Sequence, residues 1–308
     1  MGNHLKGNLM LLVTAIIWGS AFVAQSAGME YVEPFTYNMA RSIIGFLVLI
    51  PVVIIFRKKA LTETKDLKLR EKAINKNSII GGIFCGIALC IASNYQQVGI
   101  SMTTAGKAGF ITALYIILVP ILGIFLGKKI PKIIWLCVTI AIIGFYLLCI
   151  KDGFVISKGD FYCLICAVCF SIHIMTIDYF SAFDTDGVMI SCVQFLTAGL
   201  ISLVLALLFE TPTLNAIWDA RITILYAGVL SSGVAYTLQI LGQRYTTPTV
   251  ATLIMSLESV FAALSGWVIL NESLSGRELL GCIVVFTAVI LAQIPLPALH
   301  KEKHVMCM

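Results

Sequence analysis

From Ala108 to Gly127 the chain reads AGFITALYIILVPILGIFLG, a stretch without a single charge. About 20 apolar residues are what a helix needs to cross a bilayer. Runs of this kind recur along the whole sequence. They predict ten spans at about 8–27, 34–56, 78–99, 104–126, 131–150, 160–180, 187–209, 221–242, 247–270 and 276–295. Lipid offers no partner to an open amide, so each span must be helical. Most connections are short, with turn chemistry such as Lys151-Asp152-Gly153 and Asp184-Thr185-Asp186-Gly187, which makes neighbouring spans antiparallel. Composition agrees. Apolar residues make up 59% of the chain, charged residues 12%, and the mean hydropathy is +0.97. A soluble domain carries about 25% charge. The expectation is therefore an all-α, multi-pass membrane protein with the lipid bilayer as its surroundings.

The net charge of +5 does not indicate a nucleic-acid partner, because the basic residues crowd into a few connections. With the N-terminus inside, fifteen Lys and Arg fall on inner segments, eight of them between Arg57 and Lys76, and four on outer loops. That asymmetry places both termini in the cytoplasm, at the cytoplasmic membrane. The 57–77 stretch reads as a cytoplasmic loop that anchors this topology and can touch anionic lipid. Lys6 before LMLLVTAIIW resembles a signal peptide, but the apolar period continues throughout, so the segment reads as a retained first span. Cys163, Cys166 and Cys169 lie on one helical face without a second ligand cluster, and read as packing residues rather than a metal site.

The two halves resemble each other. Gly7-Asn8 opens span 1 as Gly159-Asp160 opens span 6, and Trp18 falls opposite Phe170. Tyr95-Gln96-Gln97-Val98-Gly99 lies opposite Leu238-Gln239-Ile240-Leu241-Gly242, and both stretches run into Thr-Thr pairs, at 103–104 and 246–247. The offset falls from 152 to 143 because the second half lacks the long basic connection. Five spans is an odd number, so the second copy enters the membrane upside down. Residues 1–152 and 153–300 form the two repeats, and 301–308 a cytoplasmic tail. Inverted repeats are a recurring design of secondary transporters, with the binding site between the copies.

Several motifs are similar to those of EamA-type proteins of the drug/metabolite transporter superfamily. They are Trp18-Gly19-Ser20-Ala21-Phe22, Arg41 after Pro34-Phe35, Ala105-Gly106-Lys107-Ala108-Gly109-Phe110 with Val119-Pro120, and Leu257-Glu258-Ser259-Val260-Phe261 with Leu270-Asn271-Glu272. The resemblance covers nearly the whole chain. It implies two five-helix repeats around a cavity lined by spans 1, 3, 4, 6, 8 and 9, alternating access, and export of small metabolites, amino acids or drugs. Ser259 departs from the family's usual proline, which predicts a straighter span 9.

Ionisable groups inside a membrane are functional candidates by default. Glu258, halfway along span 9, is the foremost, as a proton-exchanging or amine-contacting group, against a plain helix–helix hydrogen bond. Arg41 reads as a peripheral packing or snorkelling residue, because the resemblance puts span 2 at the rim. His173 in span 6 has a side chain suited to a proton relay, against a plain packing role. Gln96 and Gln239 match across the repeat, with Asn94, Tyr95 and Tyr236 nearby. Amides and phenols can line a polar cavity without the cost of charge, or serve as glue between helices. Trp18 and Tyr115 add aromatic walls. Lys107 stands one turn inside span 4, between Gly106 and Gly109. Snorkelling to the headgroups is one reading; the other, suggested by those glycines and by the outer-face position, turns the ammonium into the cavity mouth, toward a carboxylate or an acid.

No Gly-Lys-Ser/Thr phosphate loop occurs, so neither ATP nor another cofactor is expected. Pro120 supplies a bend for a moving helix. The leading reading is a secondary transporter of a small-molecule substrate, with protons as the coupling ion. A passive facilitator or channel is the alternative, although no charged ring or carbonyl filter is visible. An integral-membrane enzyme is a third, without the acid/base cluster it needs.

Overall fold

A computed structural model describes residues 2–61, 67–103, 105–149, 157–269 and 275–293. Thr104, the Lys151-Asp152-Gly153 turn, the Leu270-Asn271-Glu272 motif and the 301–308 tail lie outside the described residues. Every regular element among those described is a helix. Spans 1, 2 and 3 are α1 (Gly2–Gly28), α2 (Pro34–Leu61) and α3 (Leu67–Ile100). Span 4 is divided into α4 (Ala105–Thr112) and α5 (Tyr115–Phe125). Spans 5, 6 and 7 are α6 (Lys132–Cys149), α7 (Lys158–Ser181) and α8 (Gly187–Phe209). A short α9 (Leu214–Asp219) precedes span 8, which is α10 (Arg221–Leu225), a π-helical stretch (Tyr226–Ala235) and α11 (Tyr236–Gln243). Span 9 is divided into α12 (Pro248–Met255) and α13 (Glu258–Ile269), and span 10 is α14 (Gly276–Gln293). Eight of these units are long and apolar enough to cross a membrane. The two 18-residue helices α6 and α14 pack along each other.

The halves exchange their contacts. The helix α3 packs along α7 and α8, as the π stretch packs along α1 and α2. The broken span 4 lies on α7, as the broken span 9 lies on α1. Matched glycines set the close approaches. A Cβ on Gly99 would stand 2.4 Å from Cys163 Sγ, and one on its counterpart Gly242 would stand 3.0 Å from Leu11 Cγ. Leu11 is the counterpart of Cys163 at the offset of 152 that relates Gly7 to Gly159.

Four expectations are corrected. The 57–77 stretch is largely helix, since α2 runs to Leu61 and α3 starts at Leu67. Its many Lys, Arg, Glu and Leu are good helix formers, and a helix leaving lipid has no need to stop. Span 4 breaks at Ala113-Leu114, well before Pro120, which sits inside α5. Span 9, lacking the proline, still breaks, at Ser256-Leu257. In both, the chain tightens by one residue: Leu114 N–H donates to Ile111 O at 3.2 Å, and Leu257 N–H to Ile254 O at 3.2 Å. The Ser256 hydroxyl donates to Leu253 O at 2.8 Å, taking a carbonyl that the tighter turn releases. Finally, among the described residues a Cβ on Gly106 would meet nothing within 4 Å, and the nearest atoms to one on Gly109 belong to the Phe22 ring, at 3.8 Å or more, so these glycines do not mark a close backbone approach beside Lys107. Gly82 and Gly86, by contrast, do sit against α8: a Cβ on Gly82 would stand 2.5 Å from Val193 Cβ, and one on Gly86 2.6 Å from Thr197 Cβ.

Candidate functional site

The two breaks face each other. Tyr115 opens α5 and Glu258 opens α13, and they are counterparts at the same offset of 143 that relates Gln96 to Gln239. Tyr115 Oη donates to Glu258 Oε1 at 2.8 Å. One residue on, the Ser259 hydroxyl donates to Gly109 O at 3.1 Å and ties α13 to α4. Glu258 is only 3% exposed. Among the described residues no cationic nitrogen lies within 4.0 Å of it. A buried carboxyl held by a phenol, with no cation beside it among the described residues, is a costly arrangement.

Beside this pair lies a cavity of about 20 Å³. That is room for roughly one water molecule. Glu258, Tyr115, Gln96, Gln239, Trp18 and Tyr236 all line it. Trp18 and Tyr236 stack at a tilt, with ring centroids 4.6 Å apart. Two buried polar atoms of this wall, Trp18 Nε1 and Gln239 Oε1, have no hydrogen-bond partner among the described residues. Gln96 Nε2 reaches Thr112 Oγ1 at 3.5 Å. Thr112 and Ser231 bring further hydroxyls to the wall, and Phe22, Phe170 and Ile174 its apolar part.

The π-helical stretch shapes one side of this cavity. It carries Ser231 and leads directly into Tyr236. Single π turns inside helices are frequent at functional sites. Here the Thr14 hydroxyl donates to Ala235 O at 3.0 Å, and Ser20 Oγ pairs with Tyr226 Oη at 2.6 Å, which anchors the irregular backbone to α1.

Other candidates lie elsewhere. Asn94 is buried among α2, α3 and α8, donating to Ser202 Oγ at 3.0 Å and Cys90 O at 2.9 Å, and accepting from Asn38 Nδ2 at 2.9 Å. Tyr95 is 37% exposed and stacks on Tyr162, away from the cavity. His173 is buried one layer behind the wall, 3.2 Å from Gln194 Oε1 and edge-on to Tyr236. Lys107 donates to Asp160 Oδ2 at 2.7 Å. Asp160 also accepts from the Thr103 hydroxyl at 2.7 Å and closes a capping box with Ser157 at the start of α7. Lys107 is thus part of a tie between the heads of spans 4 and 6.

Sequence reasoning missed Arg41. It is buried rather than snorkelling, and it lines the cavity. Its Nη1 donates to Gln25 Oε1 at 3.0 Å. The expected peripheral place of span 2 hid it, and its match to the polar Gln194 was the available signal.

A bundle of apolar helices with broken, facing spans around a buried polar cavity defines the class of helical membrane transporters. The chain belongs to the EamA-like transporter family, which matches it twice, over residues 5–150 and 157–293. It is 30% identical over 292 residues to an uncharacterized transporter of Archaeoglobus fulgidus, covering 94% of this chain and 87% of that one. A chloroplastic WAT1-related protein of Arabidopsis thaliana is 24% identical over 299 residues, covering 93% and 69%. A crystal structure superimposes with a TM-score of 0.73 over 93% of this chain and 96% of the other, at 16% identity, which shows a shared fold.

Proposed function

We propose that the protein is a secondary transporter that exports small polar or amphipathic solutes across the cytoplasmic membrane by alternating access. The two five-helix repeats, 1–152 and 153–300, are inverted in topology and rock about the cavity, with both termini in the cytoplasm. One observation carries this reading: Tyr115 and Glu258, counterparts in the two repeats, meet at facing breaks in spans 4 and 9. A break without proline costs little to open or close, because the tightened turn keeps most of its hydrogen bonds. A motion of either half therefore parts or remakes the Tyr115–Glu258 contact. Glu258 exchanges a proton or contacts a basic group of the solute, while Gln96, Gln239 and Trp18 offer neutral hydrogen bonds.

The test is counterflow in proteoliposomes with an imposed pH gradient, using the wild type and Glu258→Gln. Exchange stimulation supports a carrier, and its absence alongside simple downhill flux indicates a facilitator. Glu258→Gln is expected to keep exchange but lose its response to the pH gradient. Unchanged gradient-driven accumulation in this variant removes the proton role.

A further inference from the structure

We propose that the transported solute carries a carboxylate and that Arg41 is the residue that recognises it. This rests on the transport reading above.

The argument begins with the burial of a permanent charge. Arg41 is 4% exposed, on the wall of the central cavity. Its guanidinium presents five N–H donors in a planar fork. Among the described residues it has one hydrogen-bond acceptor, Gln25 Oε1 at 3.0 Å, and no carboxylate within 4.0 Å. Gln25 is itself held, since its Nε2 donates to Ala21 O at 3.2 Å and its backbone carbonyl accepts from Gln97 Nε2 at 3.3 Å. The fork is therefore fixed at one corner by a braced amide and otherwise lacks an anion. A buried cation in that condition is costly unless a partner arrives. A planar carboxylate is the group whose geometry matches the free part of the fork.

The rest of the wall narrows the class. Arg41 is the only Lys or Arg among the described lining residues, and Glu258 lies on the same wall. A dianion such as a phosphate monoester would meet one positive group and one acid. A single carboxylate balances Arg41, and a hydrogen-bond donor or amine elsewhere on the solute suits Glu258. Trp18 Nε1 and Gln239 Oε1, both buried without partners among the described residues, add one donor and one acceptor for the solute's polar body.

The experiment uses the full-length protein in proteoliposomes. A mixed library of small metabolites is screened by counterflow, and each exchanged solute is compared with its carboxamide, which keeps the shape and removes the charge. Wild type is expected to prefer the acid roughly 10- to 100-fold, as a charge-assisted hydrogen-bonded pair supplies. Arg41→Gln is expected to bring acid and amide within about threefold of each other. Arg41→Lys is expected to keep the preference while weakening acid binding about tenfold, because a point charge replaces the fork. If Arg41→Gln does not fold, Arg41→Lys carries the test, and unchanged acid affinity in it overturns the proposal. So does an exchanged set dominated by solutes without an anionic group, or an acid-to-amide ratio that Arg41→Gln leaves intact. If no library member exchanges in the wild type, the transport reading itself fails, and this inference with it.

Discussion

Spans 4 and 6 form one helix pair, and spans 9 and 1 form its counterpart, yet the two are held by different forces. The first pair is tied by charge at both ends. Lys107 meets Asp160 where spans 4 and 6 begin, and Lys128 meets Asp178 where they finish. At the matching positions of the second pair stand Val250 and Asn8, then Asn271 and Ser26, none of them charged. Among the described residues that pair shows a close contact in mid-helix. A Cβ on Gly19 would lie 2.4 Å from Phe261 Cβ and 2.8 Å from Glu258 O. The lesson is that a repeat can keep its architecture while changing its adhesive. End-ties of charge are directional and separable, whereas a glycine packed into a facing helix in mid-span fixes how closely the two helices approach. Here that approach lies against the carbonyl of Glu258 itself.

The largest effect is expected at the Gly19 contact. Gly19→Val should lower stability by about 3 kcal/mol, since two helices must move apart to admit the side chain. Gly106→Val on α4, with no atom within 4 Å, should cost under about 0.5 kcal/mol. Thermal unfolding of the purified protein in detergent measures both, and equal losses break the comparison.

The charged tie comes next. Asp160→Ala removes the partner of Lys107, the acceptor for Thr103 and half of the α7 capping box, for an expected loss of about 2 kcal/mol. Asp178→Asn, at a more exposed pair, should cost no more than about 1 kcal/mol. Raising salt should narrow the gap between wild type and Asp178→Asn more than that between wild type and Asp160→Ala, because exposed pairs are screened first. The reverse order in melting curves would contradict the picture.

Between the pairs stands the contact at the breaks. Tyr115→Phe leaves Glu258 without its donor and should destabilise by about 1 to 2 kcal/mol. A neutral outcome in the same unfolding assay would mean that the phenol is a bystander.

The smallest effect sharpens the comparison. Asn8→Asp combined with Val250→Lys transplants the charge pair of spans 4 and 6 onto spans 1 and 9. A double-mutant cycle should give a favourable coupling of about 0.5 to 1 kcal/mol. Zero coupling would show that the two pairs differ in helix register as well as in residue type.

Much of this was legible beforehand. The offset of 143 that matches Gln96 with Gln239 also matches Tyr115 with Glu258, and all four line one cavity. Glu258 stood out because a lone acid in an apolar run is conspicuous. The breaks did not stand out, because neither has proline or glycine at the turn and the Ser256 hydroxyl repairs the backbone unseen. Arg41 was misplaced because a basic residue near a span end looks alike whether it faces lipid or a cavity. Asn94 and Tyr95 immediately precede Gln96 in sequence, but adjacent residues on a helix point about 100° apart, so all three cannot face one site.

By itself the sequence determined that this chain is a bundle of membrane helices in two related halves. Apolar burial in lipid is set residue by residue and adds along a segment, so it can be read without knowing any neighbour. Only the tertiary structure decided which polar side chains meet. The partner of Lys107 is Asp160, 53 residues away, and that of Tyr115 is Glu258, 143 away. Such pairings depend on how each helix is rotated and how deep it sits against another. A rotation of one residue turns a wall of the cavity into a face toward lipid.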